Sequence, residues 1–418
     1  MSAFKTQAEQ VMQQLQELGT ISQSPQYLDR RYLTAEHASA NQLVANWMHQ
    51  AGMQTWQDAA ANLWGRLASS AVPDAPRLIL GSHLDTVPNG GKYDGMLGVL
   101  APIAVAQLLA QQAISLPFHL DIVGFGDEEG SRFGSTLLGS RALVGNWPAD
   151  WAELTDENNI TLAQAMQNAG LDFTQVHQAA ISNENLLGYI ELHIEQGPVL
   201  EHENLPVGIV SAIAGARRFE FTVTGMAGHA GTVPMPLRQD ALAAASEMIL
   251  AVEALAVKNQ VVATVGRINN KPNGVNVIAG QSQFSLDIRS ASDAQRDEAL
   301  EHIMLAMEDI AQRRGVQLHH QQTHEADAVS CDPSLQSYLR DAVEQNGIRP
   351  FTLPSGAGHD AMAMAHLCPV AMLFTRCDKG ISHHPAEAIT TADIEVSLQV
   401  LFDTIMAVAE PTKQKEVM

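Results

Sequence analysis

Arg77-Leu78-Ile79-Leu80-Gly81-Ser82-His83-Leu84-Asp85 begins as an unbroken apolar run and ends in a histidine and a carboxylate two residues apart. A run of this length and composition is expected to be a strand buried on both faces, as in a parallel sheet covered by helices. Phe118-His119-Leu120-Asp121-Ile122-Val123-Gly124-Phe125 reads the same way, and the Ala/Leu-rich stretch from Val99 to Ala110 reads as a helix between the two. That order predicts an α/β fold with helices against a sheet. Tyr189-Ile190-Glu191-Leu192-His193 alternates like a further strand, and Pro369 to Phe374 follows a helical stretch from Ser334 to Asn346 as another. Ligands of open α/β sheets bind beyond the carboxyl ends of the strands, so the polar residues that end or follow these runs are expected to meet at one rim.

Around residue 213 the texture changes. Phe219, Phe221 and Val223 alternate as a half-exposed strand, and Arg238 to Ala256 reads as a long Ala/Leu/Met helix. Val261 to Ile268 and Gln281 to Arg289 read as strands, Asp293 to Arg314 as an amphipathic helix, and Val316 to Thr323 as a last strand. Strand, helix, strand, strand, helix, strand is the ferredoxin-like pattern, and it is complete within this stretch. Residues 213–327 are therefore expected to form an inserted α+β domain. Residues 1–212 and 328–418 form the discontinuous domain around it, with a mixed sheet flanked by helices.

The chain has 418 residues, 46% of them hydrophobic, enough for a large core and more than one domain. Its formal net charge of −22 argues against nucleic acid or an anionic membrane surface as a partner. A small anionic substrate would need local arginines to enter that field. Residues 1–26 are polar and helix-like, and no apolar run reaches the ~20 residues of a membrane span, so a cytoplasmic protein is expected. Cys331, Cys368 and Cys377 fit neither a disulfide framework nor a cysteine-type zinc site. Any metal must then be held by nitrogen and oxygen.

The residues that suit this are His83, Asp94 within Asn89-Gly90-Gly91-Lys92-Tyr93-Asp94-Gly95, Glu128-Glu129 after the second apolar run, His193, and His383 near the C-terminus. Imidazoles and carboxylates recurring in this order are what a two-metal hydrolase needs to hold a pair of divalent ions around one water. A histidine at a strand end is by itself most often a packed residue. Asp85, two positions on, changes the reading of His83, because it can accept one ring N–H and leave the other nitrogen for a metal. The glycines before Asp94 make a turn, and they also allow a close backbone approach for one carboxylate to bridge two ions. Glu128 and Glu129 read either as an exposed acidic pair or, crowded at a strand end, as a ligand beside a base. His319, His320 and His324 lie among exposed glutamines and read as a solvated face.

His83-Leu84-Asp85, Asp94, Glu128-Glu129, His193 and Gly380-Ile381-Ser382-His383 resemble the M20 family of metallopeptidases. Glu191-Leu192-His193-Ile194-Glu195-Gln196-Gly197-Pro198, Gly228-His229-Ala230-Gly231-Thr232-Val233-Pro234-Met235 and Ser355-Gly356-Ala357-Gly358-His359-Asp360 narrow the resemblance to its hydantoinase/carbamoylase branch. Gly91-Lys92-Tyr93-Asp94-Gly95 and Asp127-Glu128-Glu129-Gly130 look most like the allantoate amidohydrolases of that branch. The resemblance implies one ion on His83, Asp94 and His193 and a second on Asp94, Glu129 and His383, with Glu128 as general base and Asp85 supporting catalysis behind His83. His384, where several relatives would carry Asn, is the alternative to His383. Zinc is the expected metal, and manganese or cobalt suits the same ligands. The resemblance also implies that the insert is a lid and pairs two chains into a homodimer. Arg289 would clamp a substrate carboxylate, Asn276 would contact substrate, and His229 would reach it from the partner subunit. Gln196, His359, Arg217 and Arg218 are further polar candidates. Each has a plainer reading as well: a surface ion pair for the arginines, a turn cap for Asn276, and backbone satisfaction for Gln196. The implied activity is cleavage of the ureido bond of a small carboxylate, allantoate first and N-carbamoyl-L-amino acids second, with release of ammonia and CO2. An aminoacylase, a dipeptidase or a non-catalytic metal-containing binding module are the remaining readings.

Overall fold

A computed structural model describes residues 3–70 and 74–410; residues 1–2 and 411–418, which the sequence pattern assigns to the ends of the first domain, lie outside the described residues. The chain divides into two compact units, one of residues 1–211, 331–353 and 357–418, the other of residues 212–330 and 354–356. The short segment 354–356 thus falls with the insert and not with the domain that surrounds it in sequence.

The larger unit is built on a mixed sheet whose strands run in the spatial order Gln54–Gln57, Leu63–Leu67, His119–Phe125, Arg77–His83, Leu186–Ile194, Val370–Thr375, Val207–Ile213. The middle four are parallel to one another, and their outer neighbours run antiparallel. Parallel neighbours need long crossovers, and helix Met96–Gln111 supplies the one between Arg77–His83 and His119–Phe125. That helix is apolar nearly all round because it is enclosed: Leu97, Val99, Leu100, Ile103 and Val105 join Leu78, Leu80, Leu120, Ile122, Ile190 and Leu192 in one core with the helices Ala3–Leu18 and Thr391–Ala409. Each such side chain contributes about 1.5–3 kcal/mol on burial. Period-two alternation puts Tyr189, Glu191 and His193 on the face of their strand opposite Ile190 and Leu192. No helix of the described residues is long and apolar enough to cross a membrane.

The smaller unit carries an antiparallel sheet in the order Ile268–Lys271, Gln281–Ser290, Gly215–Thr224, Gln317–Ala326. With helices Ala241–Asn259 and Asp293–Arg314 this is the ferredoxin-like arrangement. Phe219, Phe221, Phe284, Leu286 and Ile288 pack under the helices with Met248, Ile303 and Met307. Two expectations need correction. The helix starts at Ala241 and not near Arg238, because the Asp240 side chain accepts the amides of Leu242 and Ala243 and so sets the N-terminus. The strand expected over Val261 to Ile268 is two pieces, Val262–Thr264 and Ile268–Lys271, each paired to a different part of Gln281–Ser290.

Candidate metal centre

Because the four central strands are parallel, their carboxyl ends lie along one edge. His83 is the last residue of its strand, His193 the penultimate residue of its own, and Asp127-Glu128-Glu129 follow Phe125. The loop between His83 and helix Met96–Gln111 brings in Asp94. Its shape depends on glycine at two points. A Cβ on Gly91 would lie 2.1 Å from the Glu387 carboxyl, and one on Gly95, which has a φ of +78°, would lie 2.5 Å from the His83 ring.

Asp94 is the hub. Its Oδ1 lies 3.1 Å from His193 Nε2 and 3.5 Å from His83 Nε2, and its Oδ2 lies 3.3 Å from His383 Nε2. His383 Nε2 is also 3.6 Å from Glu129 Oε1. Ligand atoms of His83, Asp94 and His193 lie within 4.8 Å of one another, and so do those of Asp94, Glu129 and His383. His83, Glu128 and Glu129 form a further such group. His384 is in none of these groups among the described residues, and its Nδ1 accepts the Ala386 amide at 3.1 Å.

The donor set fits divalent cations for a reason visible in the hydrogen bonds. His83 Nδ1 faces the Asp85 carbonyl at 3.1 Å and an Asp85 carboxylate oxygen at 3.3 Å; His193 Nδ1 faces the Ile194 carbonyl at 2.9 Å. These partners only accept, so each Nδ1 carries a proton, and each neutral ring then turns a lone pair on Nε2 toward the Asp94 carboxylate. Acceptors held against a carboxylate need a cation between them, either a proton on each ring or a metal ion. Without metal the titration follows: burial alone would lower the His83 pKa, yet Asp85 and Asp94 hold it well above the usual imidazole range. Burial likewise opposes the charged form of Asp94, but His193, His383 and His83 keep it well below the usual carboxylate range. Contact with Asp94 pushes His383 up to about 9. Loss of solvent and the nearby Asp94 push Glu129 up to about 7. Loss of solvent and Glu129 raise Glu128 well above its ordinary value.

Asp85, fully buried, accepts the amides of Glu128 at 3.0 Å and of Glu129 at 3.3 Å, so one carboxylate sets both the His83 ring and the acidic pair. Gln196 donates from Nε2 to Asp94 Oδ2 at 2.7 Å. Gln196 and His383 both have positive φ, 56° and 55°, a conformation costly for residues with a Cβ and common at functional sites. His359 is buried edge-on to His193, ring centroids 4.5 Å apart, and burial and His193 keep its pKa well below the usual range, so it is a neutral neighbour. Glu191 approaches the same two histidines, but its oxygens already accept Ser82 Oγ and the Ala361 amide.

Sequence reasoning missed Glu387, whose Oε1 accepts the amides of Tyr93 and Asp94 and so holds the Asp94 loop. It used Ser382 only as part of a motif; Ser382 Oγ lies 2.7 Å from Asp94 Oδ2 and 3.2 Å from Glu387 Oε2. Nothing in the local pattern around Glu387 sets it apart.

The smaller unit holds the other candidates. His229 lies in a two-stranded ribbon, pairing with Val277, and its Nδ1 accepts the Gly231 amide at 3.1 Å; the proton is therefore on Nε2, at an exposed ring. Asn276 is in the turn before the second ribbon strand, exposed, with its carbonyl accepting the Ala230 amide. Arg289 is on the sheet face away from the helices. Arg217 is not with it: register pairs Arg217 with Ile288, whose side chain is in the core, and its guanidinium is taken by Asp297 at 3.2 Å and Glu325 at 2.9 Å. It is Arg218 that shares the face of Arg289. His319, His320 and His324 form no metal-binding group among the described residues.

The profile of Peptidase family M20/M25/M40 matches residues 79–407. The chain is 42% identical over 406 residues to an N-carbamoyl-L-amino acid amidohydrolase of Geobacillus stearothermophilus, covering 97% of this chain and 99% of the relative. It is 38% identical over 419 residues to an allantoate deiminase of Arabidopsis thaliana, covering 92% of this chain and 79% of the relative. A solved amidase of the hydantoinase/carbamoylase family from Burkholderia multivorans superposes with a TM-score of 0.91 at 32% identity, over 96% of this chain and 98% of that one. The chain belongs to peptidase family M20/M25/M40 and is a hydrolase of its hydantoinase/carbamoylase branch.

Proposed function

We propose that the protein hydrolyses the ureido C–N bond of a small carboxylate, releasing ammonia and CO2, with two divalent ions per chain. The observation that carries this is the pair of ligand groups sharing Asp94, with Glu128 beside them. His83, Asp94 and His193 hold one ion, and Asp94, Glu129 and His383 the other; zinc, manganese and cobalt all suit this set. When bound, the ions lower the pKa of water and polarise the carbonyl under attack. Glu128 takes the proton from the attacking water and delivers it to the departing nitrogen. Asp85 keeps the His83 ring and the Glu128 amide in register. Arg289 receives the substrate carboxylate, with Asn276 and the His229 Nε2–H of a partner subunit as further donors, and Gln196 and the neutral His359 line the site. The resemblance of the Asp94 and Glu128 motifs favours allantoate; the 42% identity to an N-carbamoyl-L-amino acid amidohydrolase supports the second reading, an N-carbamoyl-L-amino acid hydrolase. Ammonia release from metal-loaded protein, assayed on allantoate, ureidoglycolate and N-carbamoyl amino acids, decides between them. Release of acetate from N-acetyl amino acids, with no ammonia from any ureido acid, would instead make the protein an aminoacylase.

Chelation is expected to abolish turnover and leave most of the fold, with activity returning on adding zinc, manganese or cobalt. Full activity in protein shown to be metal-free would end this reading.

The metal-free titration adds a pH dependence. His383, raised to about 9, keeps its proton at neutral pH, as does His83, which Asp85 and Asp94 hold well above the usual imidazole range against the effect of burial; Asp94 shifts His193 in the same direction, again against burial. These rings give up protons when ions enter, so ion affinity should rise with pH through the neutral range up to about 9 and fall on acidification. Calorimetric titration of the apo-protein with zinc in buffers of different ionisation enthalpy reads this directly. Ion binding with no proton release at pH 7 would contradict it.

A further inference from the structure

Arg289 does not stand free in its strand. Its Nε and Nη2 donate to the two oxygens of Asp287, at 2.7 and 3.0 Å, and its Nη1 donates to the Gly356 carbonyl at 2.6 Å. Asp287 is two residues earlier on the same strand and therefore on the same face. The Asp287 Oδ2 atom also accepts Arg218 Nε at 2.7 Å, and register places Arg218 directly opposite Asp287. Two guanidiniums around one carboxylate leave a local charge of +1, in a chain whose formal net charge is −22. Burial alone would raise the Asp287 pKa, yet Arg289 and Arg218 hold it below the usual range, so it stays ionised at neutral pH. His324 adds no positive charge there, because burial and the charge of Arg218 lower its pKa.

The donor count gives this arrangement a direction. A guanidinium has five N–H groups, and three of those on Arg289 are engaged. Asp287 occupies the edge formed by Nε and Nη2, and Gly356 takes one hydrogen of Nη1. One hydrogen on Nη1 and one on Nη2 remain, donors still open to a second carboxylate. Asp287 and Arg289 are both on the wall of a cavity of about 710 Å³ in the smaller unit, with Val262, Thr264, Ser355 and Gly356.

We propose that Asp287 is a positioning residue that grips one edge of Arg289 so that its unused hydrogens meet the carboxylate of a ligand, while Arg218 supplies the second positive charge that keeps the group attractive to an anion. This rests on the reading of Arg289 as the carboxylate clamp. Asp287 could instead compete with the ligand for Arg289, and the two roles predict opposite signs. Removing a competitor tightens binding of a carboxylate, and the added positive charge would tighten it further; removing a positioning group weakens binding despite that charge.

The test measures Kd by calorimetry for allantoate and N-carbamoyl-L-alanine, each against its carboxamide, in metal-loaded protein carrying Glu128→Gln so that ligand is not consumed. Asp287→Asn added to that protein should raise Kd for the carboxylates about 10- to 100-fold and leave the carboxamides nearly unchanged. Arg218→Gln keeps both Asp287–Arg289 bonds and should raise it by less, several-fold. In otherwise wild-type protein the Asp287→Asn effect should fall on KM and spare kcat. Unchanged or tighter carboxylate binding by Asp287→Asn overturns the proposal, as does a parent protein that binds carboxylate and carboxamide equally well. Should Asp287→Asn fail to fold by its thermal melt, Arg218→Gln, at an exposed residue, decides: an unchanged Kd overturns the proposal. Ammonia release is scored separately, so a protein that discriminates by carboxylate but hydrolyses no ureido bond refutes the proposed function and leaves this inference standing.

Discussion

Glu128→Gln should reduce kcat by about 10²–10⁴ and leave metal content and substrate affinity close to wild type. The side chain changes by one atom and keeps its volume, and the backbone that carries it is held from outside: Asp85 accepts the amides of both Glu128 and Glu129, and neither bond involves the Glu128 carboxyl. What is lost is the ability to accept and pass on a proton. Glu129→Gln should behave differently, because Glu129 is the residue whose oxygen lies 3.6 Å from His383 Nε2; it should weaken one ion of the pair and lower activity in a way that excess metal partly restores. Steady-state kinetics with metal analysis of both variants separates the two roles. Near-normal kcat in Glu128→Gln would show the base to be misassigned, and loss of metal from that variant would move Glu128 into the ligand set.

Much of this centre is legible in the sequence because parallel strands impose it. A buried run such as Arg77–His83 states its own length, and a polar residue at its end has only the rim to occupy; His83, Glu128, Glu129 and His193 are therefore found together although up to 110 residues separate them. The rest depends on contacts that leave no local mark. Glu387 carries the Asp94 loop through two amide hydrogen bonds to residues nearly 300 positions away, and an isolated glutamate in a loop says nothing of them. A single step of alternation separates Arg217 from Arg289. Phe219 and Phe221 point to the core, so Arg217 does too at the end of its strand, and Arg218 faces the other way; the same alternation, applied to Asp287 and Arg289, would have disclosed their pairing. The hairpin of Gln54–Gln57 and Leu63–Leu67 escapes notice because its strands are short and Trp56 stacks on Trp64 outside the main core.

Mixing two inactive variants, His229→Ala and Glu128→Gln, under conditions that exchange subunits should regenerate activity. The expectation follows from the state of His229: its Nδ1 is occupied by the Gly231 amide, so Nε2 offers a proton outward from an exposed ribbon. Around that ribbon Met226, Met235, Leu237, Val275 and Val277 are exposed, an apolar surface that suits burial against another copy of the chain. If the donor to each substrate comes from the partner, a hybrid dimer has one site with an intact Glu128 and an intact His229, and one site lacking both. Random exchange of equal amounts makes half the dimers hybrid, so about a quarter of the sites should be competent. Each variant alone should stay inactive, and Asp287→Asn combined with His229→Ala in one chain should still complement Glu128→Gln only at raised substrate concentration if Arg289 clamps within the subunit that holds the metals. Verified hybrids without activity would place His229 at its own subunit's site or give it a structural role only, and the substrate would then be oriented by Arg289 and Asn276 with no donor from the partner.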